Sequence, residues 1–359
     1  MARNVKIDIY RMIFCVMIVI YHSNKFFGDG VYFSKGWYIG VDFFFLLSGL
    51  FLMQSIEKLT DCGEREEGWM IFWRKVKNLY PLYIISYFVS FVVTQLVNHT
   101  GIKEMIKTLS RSVGKIFCLE MSGMSIRGGY ALRGSWYVSA LLIATLVILA
   151  LYFLGKHYFY YITAPLGVIL FLGFFNQKYG MIHRTSDWLT VTYSGVIRAV
   201  GVMLLGCICY KLGKYLAERK LTKRKLILLN IVEVLTFLIV IVVSFYRAKT
   251  SFDFMYLVLC AVGITLAYGV TGACDNLACK RLAWIGKNLS YPIYLNHLWI
   301  IVLIQGGGVK LILEQKLSLF VVSLAVICAL VMGIEKIIKT AFQKYLKMRE
   351  KYLQGAAEQ

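Results

Sequence analysis

Proline is scarce, three in 359 residues, so little in the chain interrupts a helix. Charge is scarce too: Asp, Glu, Lys and Arg make up 16% of the residues, where a soluble globular chain carries roughly 25%. With 59% hydrophobic residues, that deficit excludes a disordered chain, a coiled coil, collagen and a small disulfide-stapled scaffold. Length alone would allow about two soluble domains, but the composition favours one polytopic membrane domain. Acidic residues are the rarer sign, 19 against 40 Lys and Arg, for a net charge of +21. Such a charge raises the question of nucleic acid. However, the cations stand at the ends of apolar segments and form no aromatic-interleaved basic stripe. A membrane surface explains them, and no nucleic-acid partner is expected. A Walker loop, Rossmann glycines, a nucleophile elbow and any metal-ligand spacing are also missing, as are internal repeats.

What is present is a series of apolar runs long enough to cross a bilayer, which takes roughly 20 residues each. Ten are expected, at about 8–27, 37–56, 79–98, 135–154, 160–175, 191–210, 227–246, 252–271, 290–305 and 317–338. The fifth and ninth are short enough to be tilted or interrupted. The fold class is therefore all-α, a polytopic integral membrane protein forming a single domain over 1–359, with a short basic tail from about 339. Arg3 and Lys6 before the first run resemble a signal peptide, but no small-residue cleavage site follows, so that run is read as a retained helix. Basic residues concentrate between Lys211 and Lys225, at Lys280, Arg281 and Lys287, and from Lys336 to Lys351. The positive-inside rule then puts both termini in the cytoplasm. The long outer loop, about 99–134, carries six basic residues and weakens that bias. Of nine cysteines only Cys118 falls in an outer loop, while Cys62, Cys274 and Cys279 face the cytoplasm, so no structural disulfide is expected.

Ionisable residues inside the apolar runs are the functional candidates, because charge there is costly. The first run holds Asp8, Arg11 and His22. Eleven positions separate Arg11 from His22, three turns and roughly 20° more, so both share one face about 16 Å apart along the axis. That stripe links the cytoplasmic surface to a point well across the membrane. The plainer alternative is that Arg11 snorkels to headgroups, His22 ends the helix in water, and Asp8 pairs with Arg11. Asp42 lies about a turn inside the second run, either as a partner for His22 or as a boundary carboxylate. Arg74 and Lys77 share a face at the start of the third, able to hold an anionic cofactor or simply to anchor the helix. Trp136 and Tyr137 open the fourth run as catalytic-cavity or belt aromatics. Arg198 sits inside the sixth with no acidic neighbour before it. Tyr294 and His297 close the motif of the ninth, His297 as a cavity residue or a structural one. His99, His157 and His183 fall in loops without a clear partner.

In order and spacing these segments resemble the membrane-bound acyltransferase family 3 over nearly the whole chain. The resemblance rests on Asp8-x-x-Arg11, His22 after ten further residues, and Gly40-Val41-Asp42-Phe43-Phe44-Phe45-Leu46-Leu47-Ser48-Gly49. It continues through Arg74-x-x-Lys77-x-x-x-Pro81, Trp136-Tyr137-Val138-Ser139, Arg198 before Gly206, and Ser290-Tyr291-x-Ile293-Tyr294-Leu295-x-His297. It implies transfer of an acyl group, commonly acetyl from acetyl-CoA, to a hydroxyl of a cell-envelope carbohydrate or glycolipid in a bacterial plasma membrane. Arg11, Arg74 and Lys77 would hold the donor. His22 would act as general base or carry the acyl group, oriented by Asp42. Asp8, Trp136, Arg198, Tyr294 and His297 would line the cavity. Ala140-Leu141-Leu142 replaces the glutamates that many members carry, and Lys77 stands where arginine is frequent. Other readings of such a bundle are a transporter or flippase of lipid-linked saccharides, or a non-catalytic partner in polysaccharide export.

Overall fold

A computed structural model describes residues 4–27, 33–61, 68–126, 128–270, 277–306 and 311–357. Cys62 and Cys274 lie outside them; the seven described cysteines are free thiols. Among the described residues the regular structure is helical apart from one two-stranded ladder. In order the helices are α1 (Val5–Ser23), α2 (Gly40–Asp61), α3 (Gly68–Val97), α4 (Ile102–Ser110), α5 (Val113–Ile116) and α6 (Trp136–Leu154). Then come α7 (Ala164–Tyr179), α8 (Ser194–Ala217), α9 (Lys223–Tyr246), α10 (Phe252–Gly269), α11 (Leu277–Gly306) and α12 (Leu313–Ala357). Within a bilayer every backbone group must find its partner inside the chain, and apolar helices meet that demand locally. Asn4 starts α1 by accepting the N–H of Ile7 at 3.2 Å. The segment expected at 160–175 begins with a π-helical turn at Phe159–Thr163 and runs to Tyr179. The one expected at 290–305 is the second half of an uninterrupted 30-residue helix, despite Pro292 inside it. Likewise the basic tail continues α12 rather than leaving it.

Among the described residues eight helices are long and apolar enough to cross a membrane, and the protein is an all-α polytopic membrane protein. The exceptions among the ten expected segments are α1, loaded with Lys6, Asp8 and Arg11, and α11, which carries Asn296 and His297. Lys6 pairs with Glu233 and Asn296 bonds Ser86, whereas His297 meets His22. Burial sorts the rest: 72% of the apolar window is buried in α2 and in α8, against 22% in α9 and 17% in α12. The first two are central and the last two turn most of their apolar surface outward.

Two parallel helix pairs form the centre. Along α2 and α8, Asp42 meets Arg198 near one end and Glu57 meets Lys214 near the other. Between these contacts the backbones touch: a Cβ on Gly49 would lie 2.0 Å from the Met203 carbonyl oxygen, and one on Gly206 would lie 2.1 Å from that of Leu46. Small residues let membrane helices approach this closely. A methyl group at Gly49 meets backbone, which cannot rotate away. Gly49→Ala is expected to cost about 3 kcal/mol, the upper end for overpacking, and to lower the thermal midpoint and membrane abundance together. A midpoint within a degree of the native value would refute the tight crossing. The second pair, α1 and α11, crosses where Gly286 faces Asp8; a Cβ there would lie 1.8 Å from the Asp8 carbonyl oxygen.

Candidate active site

The parallel packing of α1 and α11 brings His22 and His297 together. His297 Nε2 lies 3.1 Å from His22 Nδ1. The remaining contacts settle which nitrogen carries each proton. His297 Nδ1 is 2.8 Å from the Tyr294 carbonyl and 3.1 Å from that of Ile293. Carbonyls only accept, so His297 Nδ1 donates, and in the neutral ring Nε2 keeps its lone pair. His22 Nδ1 then donates to that lone pair and to the Ile18 carbonyl at 3.0 Å. His22 Nε2 is left with a bare lone pair and no hydrogen bond among the described residues. This is the arrangement of a general base whose far nitrogen is held by a second group.

His22 lines two adjoining cavities. The smaller, about 70 Å³, gathers His22, His297, Trp136, Arg198 and Tyr294. Arg198 is 1% exposed and makes a bidentate pair with Asp42, which is fully buried; Nε donates at 2.8 Å and Nη2 at 2.6 Å. Its guanidinium lies 5.8 Å from the Trp136 ring centre. Nη1 makes no hydrogen bond among the described residues. Tyr294 donates to the Gly134 carbonyl at 3.1 Å, which fixes the rim. The carboxylate of Asp42 therefore holds Arg198, whereas a role orienting His22 was expected; His297 and Ile18 hold the histidine.

A third cavity, about 360 Å³, opens towards the other end of the bundle and shares Val41 and Tyr294 with the smallest one. Arg11, Lys75 and Lys287 line it beside Ser48, Asn78 and Ser290. Arg11 contacts Asp8 at 3.4 Å, and its Nε is buried with no partner. A buried donor in that state has a strong demand for an acceptor. Arg74 and Lys77 are exposed and do not line this cavity; the residue between them, Lys75, does. Which of three neighbouring cations faces inward depends on rotation of α3 about its axis, to which their spacing is blind. Leu141, within the Ala140-Leu141-Leu142 stretch, also lines the cavity.

Like Lys75, His183 was passed over in the sequence, yet it lines both cavities beside His22. It sits in the loop after α7, and tertiary contacts alone bring it to the site. Asp253 at the start of α10 accepts from Tyr38 Oη at 2.7 Å and from the Ile182 N–H at 3.0 Å. The His183 ring stacks on Tyr38 at 4.0 Å, its Nε2 is 3.3 Å from the Tyr21 hydroxyl, and its Nδ1 is buried without a partner. Burial, reinforced by Arg198, Lys249 and Arg184, pushes its pKa down to about 3. The unfolded chain, near 6.5, thus takes up this proton first as pH falls, and stability is lost from about pH 6.5 downwards. His183→Gln is expected to lose less of its thermal midpoint between pH 7 and 5 than the native protein. Equal losses would show that His183 does not bear this cost.

A half-buried histidine with a free ring nitrogen, at the meeting of cavities that approach it from both ends of a membrane bundle, is an arrangement suited to group transfer. The chain matches the family model described as an acyltransferase domain over residues 4–335, and it belongs to that family, the membrane-bound acyltransferase family 3. No curated protein and no solved structure gives a match.

Proposed function

We propose that this acyltransferase moves an acyl group, acetyl in the first instance, from acyl-CoA at the cytoplasmic face to a hydroxyl of a cell-envelope carbohydrate or lipid-linked glycan at the opposite face of a bacterial plasma membrane. The observation that carries the reading is the bare Nε2 of His22, fixed by His297 between the two sets of cavities. The end holding Arg11, Lys75, Lys287 and the basic tail suits the cytoplasm by the positive-inside rule, and its unpartnered Arg11 Nε suits an anionic donor.

In the proposed step His22 Nε2 takes the proton from the acceptor hydroxyl as its oxygen attacks the thioester carbonyl. The carbon–sulfur bond breaks, and the leaving thiolate takes the proton back from His22. Arg198 Nη1 stabilises the oxygen that gains charge. As positive charge builds on His22, the lone pair of His297 and the Ile18 carbonyl accept from its Nδ1–H.

The test is transfer from labelled acetyl-CoA to envelope glycans by the protein reconstituted in lipid. Label on glycan supports the proposal. Label that accumulates on the protein when no acceptor is present would route the transfer through an acyl-histidine on the same nitrogen. No transfer across several donors and acceptors, with glycan export still dependent on the protein, would replace the enzyme with a transporter.

A further inference from the structure

The larger cavity beside His22, about 450 Å³, is lined by Lys25, Lys35 and Lys249. It lies on the side of His22 away from Arg11, and its size falls within the roughly 300–1,000 Å³ of small-molecule sites. Among the described residues no carboxylate lines it and none of the three ammonium groups joins an ion pair. Arg133 adds its field at Lys25.

The fold fixes the backbone at two of these lysines, Lys35 and Lys249. Lys35 N–H donates to the Phe245 carbonyl at 3.1 Å and Gly36 N–H to that of Ser244 at 2.7 Å, so the segment before α2 is stitched to the end of α9. Trp37 Nε1 adds a bond to the Ile241 carbonyl at 2.9 Å. Lys249 has φ +56°, a left-handed conformation that residues with a Cβ seldom adopt. Its N–H donates to Tyr38 Oη at 2.8 Å, and Tyr38 is in turn held by Asp253. Backbone held in such a region by its surroundings points to a functional placement. All three lysines are solvent-exposed around one cavity, and clustered charges of one sign in a cleft attract an anion.

We infer that the acceptor is an anionic saccharide, bearing a phosphate or carboxylate that Lys25, Lys35 and Lys249 hold while its hydroxyl reaches His22. The inference rests on the acyltransferase reading given above. Because His22 and the lysines line one cavity, the anion is carried on the sugar being acylated or on its neighbour. A lipid headgroup offers the same phosphate, and the experiment separates the two sources.

The protein is reconstituted in phosphatidylcholine nanodiscs and given labelled acetyl-CoA with a phosphorylated oligosaccharide or the same oligosaccharide after phosphatase treatment. Native protein is expected to prefer the phosphorylated acceptor at least tenfold in kcat/KM at low salt. In K25Q/K35Q/K249Q that ratio falls towards one, through KM for the acceptor, while KM for acetyl-CoA holds. Equal use of both acceptors by native protein, or a lysine effect on acetyl-CoA alone, overturns the inference. So does a triple variant that loses phosphatidylglycerol binding yet keeps the native acceptor preference, since the lysines would then hold a headgroup. Equilibrium binding of the two saccharides without acyl donor keeps the two readings apart. Lysine-dependent binding with no transfer removes the transferase reading only; transfer without lysine dependence removes this one only.

Discussion

His22→Ala should reduce acyl transfer by about 10²–10⁴-fold, the range that a positioned general base supplies, while the protein remains folded. In energy this is about 3–5 kcal/mol of transition-state stabilisation. The fold should survive because His22 occupies the last turn of α1, where alanine is an excellent helix former, and because its ring is only partly buried. The loss should appear in kcat, since the lysines and Arg11 that surround the cavities are untouched. His297→Ala should cost less, about tenfold, because His22 Nδ1–H still has the Ile18 carbonyl at 3.0 Å to hold it. What disappears is the second acceptor for the charged ring, so the pH dependence of kcat should move in the His297 variant. Both variants are to be compared at equal membrane abundance. Transfer within fivefold of native by His22→Ala would remove the base from the mechanism.

Much of this architecture was legible in the residue order because the bilayer imposes a crude and strong rule. Each of the ten expected runs falls on a helix apart from a few residues at its ends, and the shared face of Arg11 and His22 follows from helical periodicity alone. Even the departures are instructive. α1, with Lys6, Asp8 and Arg11, and α11, with Asn296 and His297, fall short of the apolarity of a membrane span, so the weakest segments by composition are the ones at the centre. By contrast, pairing between helices is invisible to periodicity. His22 and His297 are 275 residues apart, and Asp42 and Arg198 are 156 apart. Asp42 and His22 stood on neighbouring runs and looked like partners, but the close approach at Gly49 and Gly206 gives α2 to α8. Lys75 escaped notice for a subtler reason: a run of cations at the foot of α3 always looks like membrane anchoring until the helix rotation is known. His183 had no periodic context at all; tertiary bonds such as that from Ile182 N–H to Asp253 fix its loop.

The Asp42–Arg198 pair yields the other large effect, and there stability and chemistry can be pulled apart. Both side chains are essentially without solvent and two short bonds join them, so removing either partner strands a charge. Stranding a buried charge costs about 3–5 kcal/mol, and Asp42→Leu or Arg198→Met alone should lose that much stability and most of the folded protein in the membrane. Replacing both at once leaves no unpaired charge, and such apolar exchanges are often neutral or stabilising. The double variant should therefore regain the native thermal midpoint, a coupling of several kcal/mol in a double-mutant cycle. Its transfer rate should stay low, because the cation whose Nη1 is free for the developing oxyanion is gone; losing such a donor costs about 10²–10³-fold. If the double variant recovers both midpoint and rate, Arg198 serves packing alone and the charge on the thioester oxygen is met elsewhere. If it recovers the midpoint without the rate, the salt bridge exists to hold a guanidinium against Trp136 and beside His22, in a place where an unpaired one could not stand.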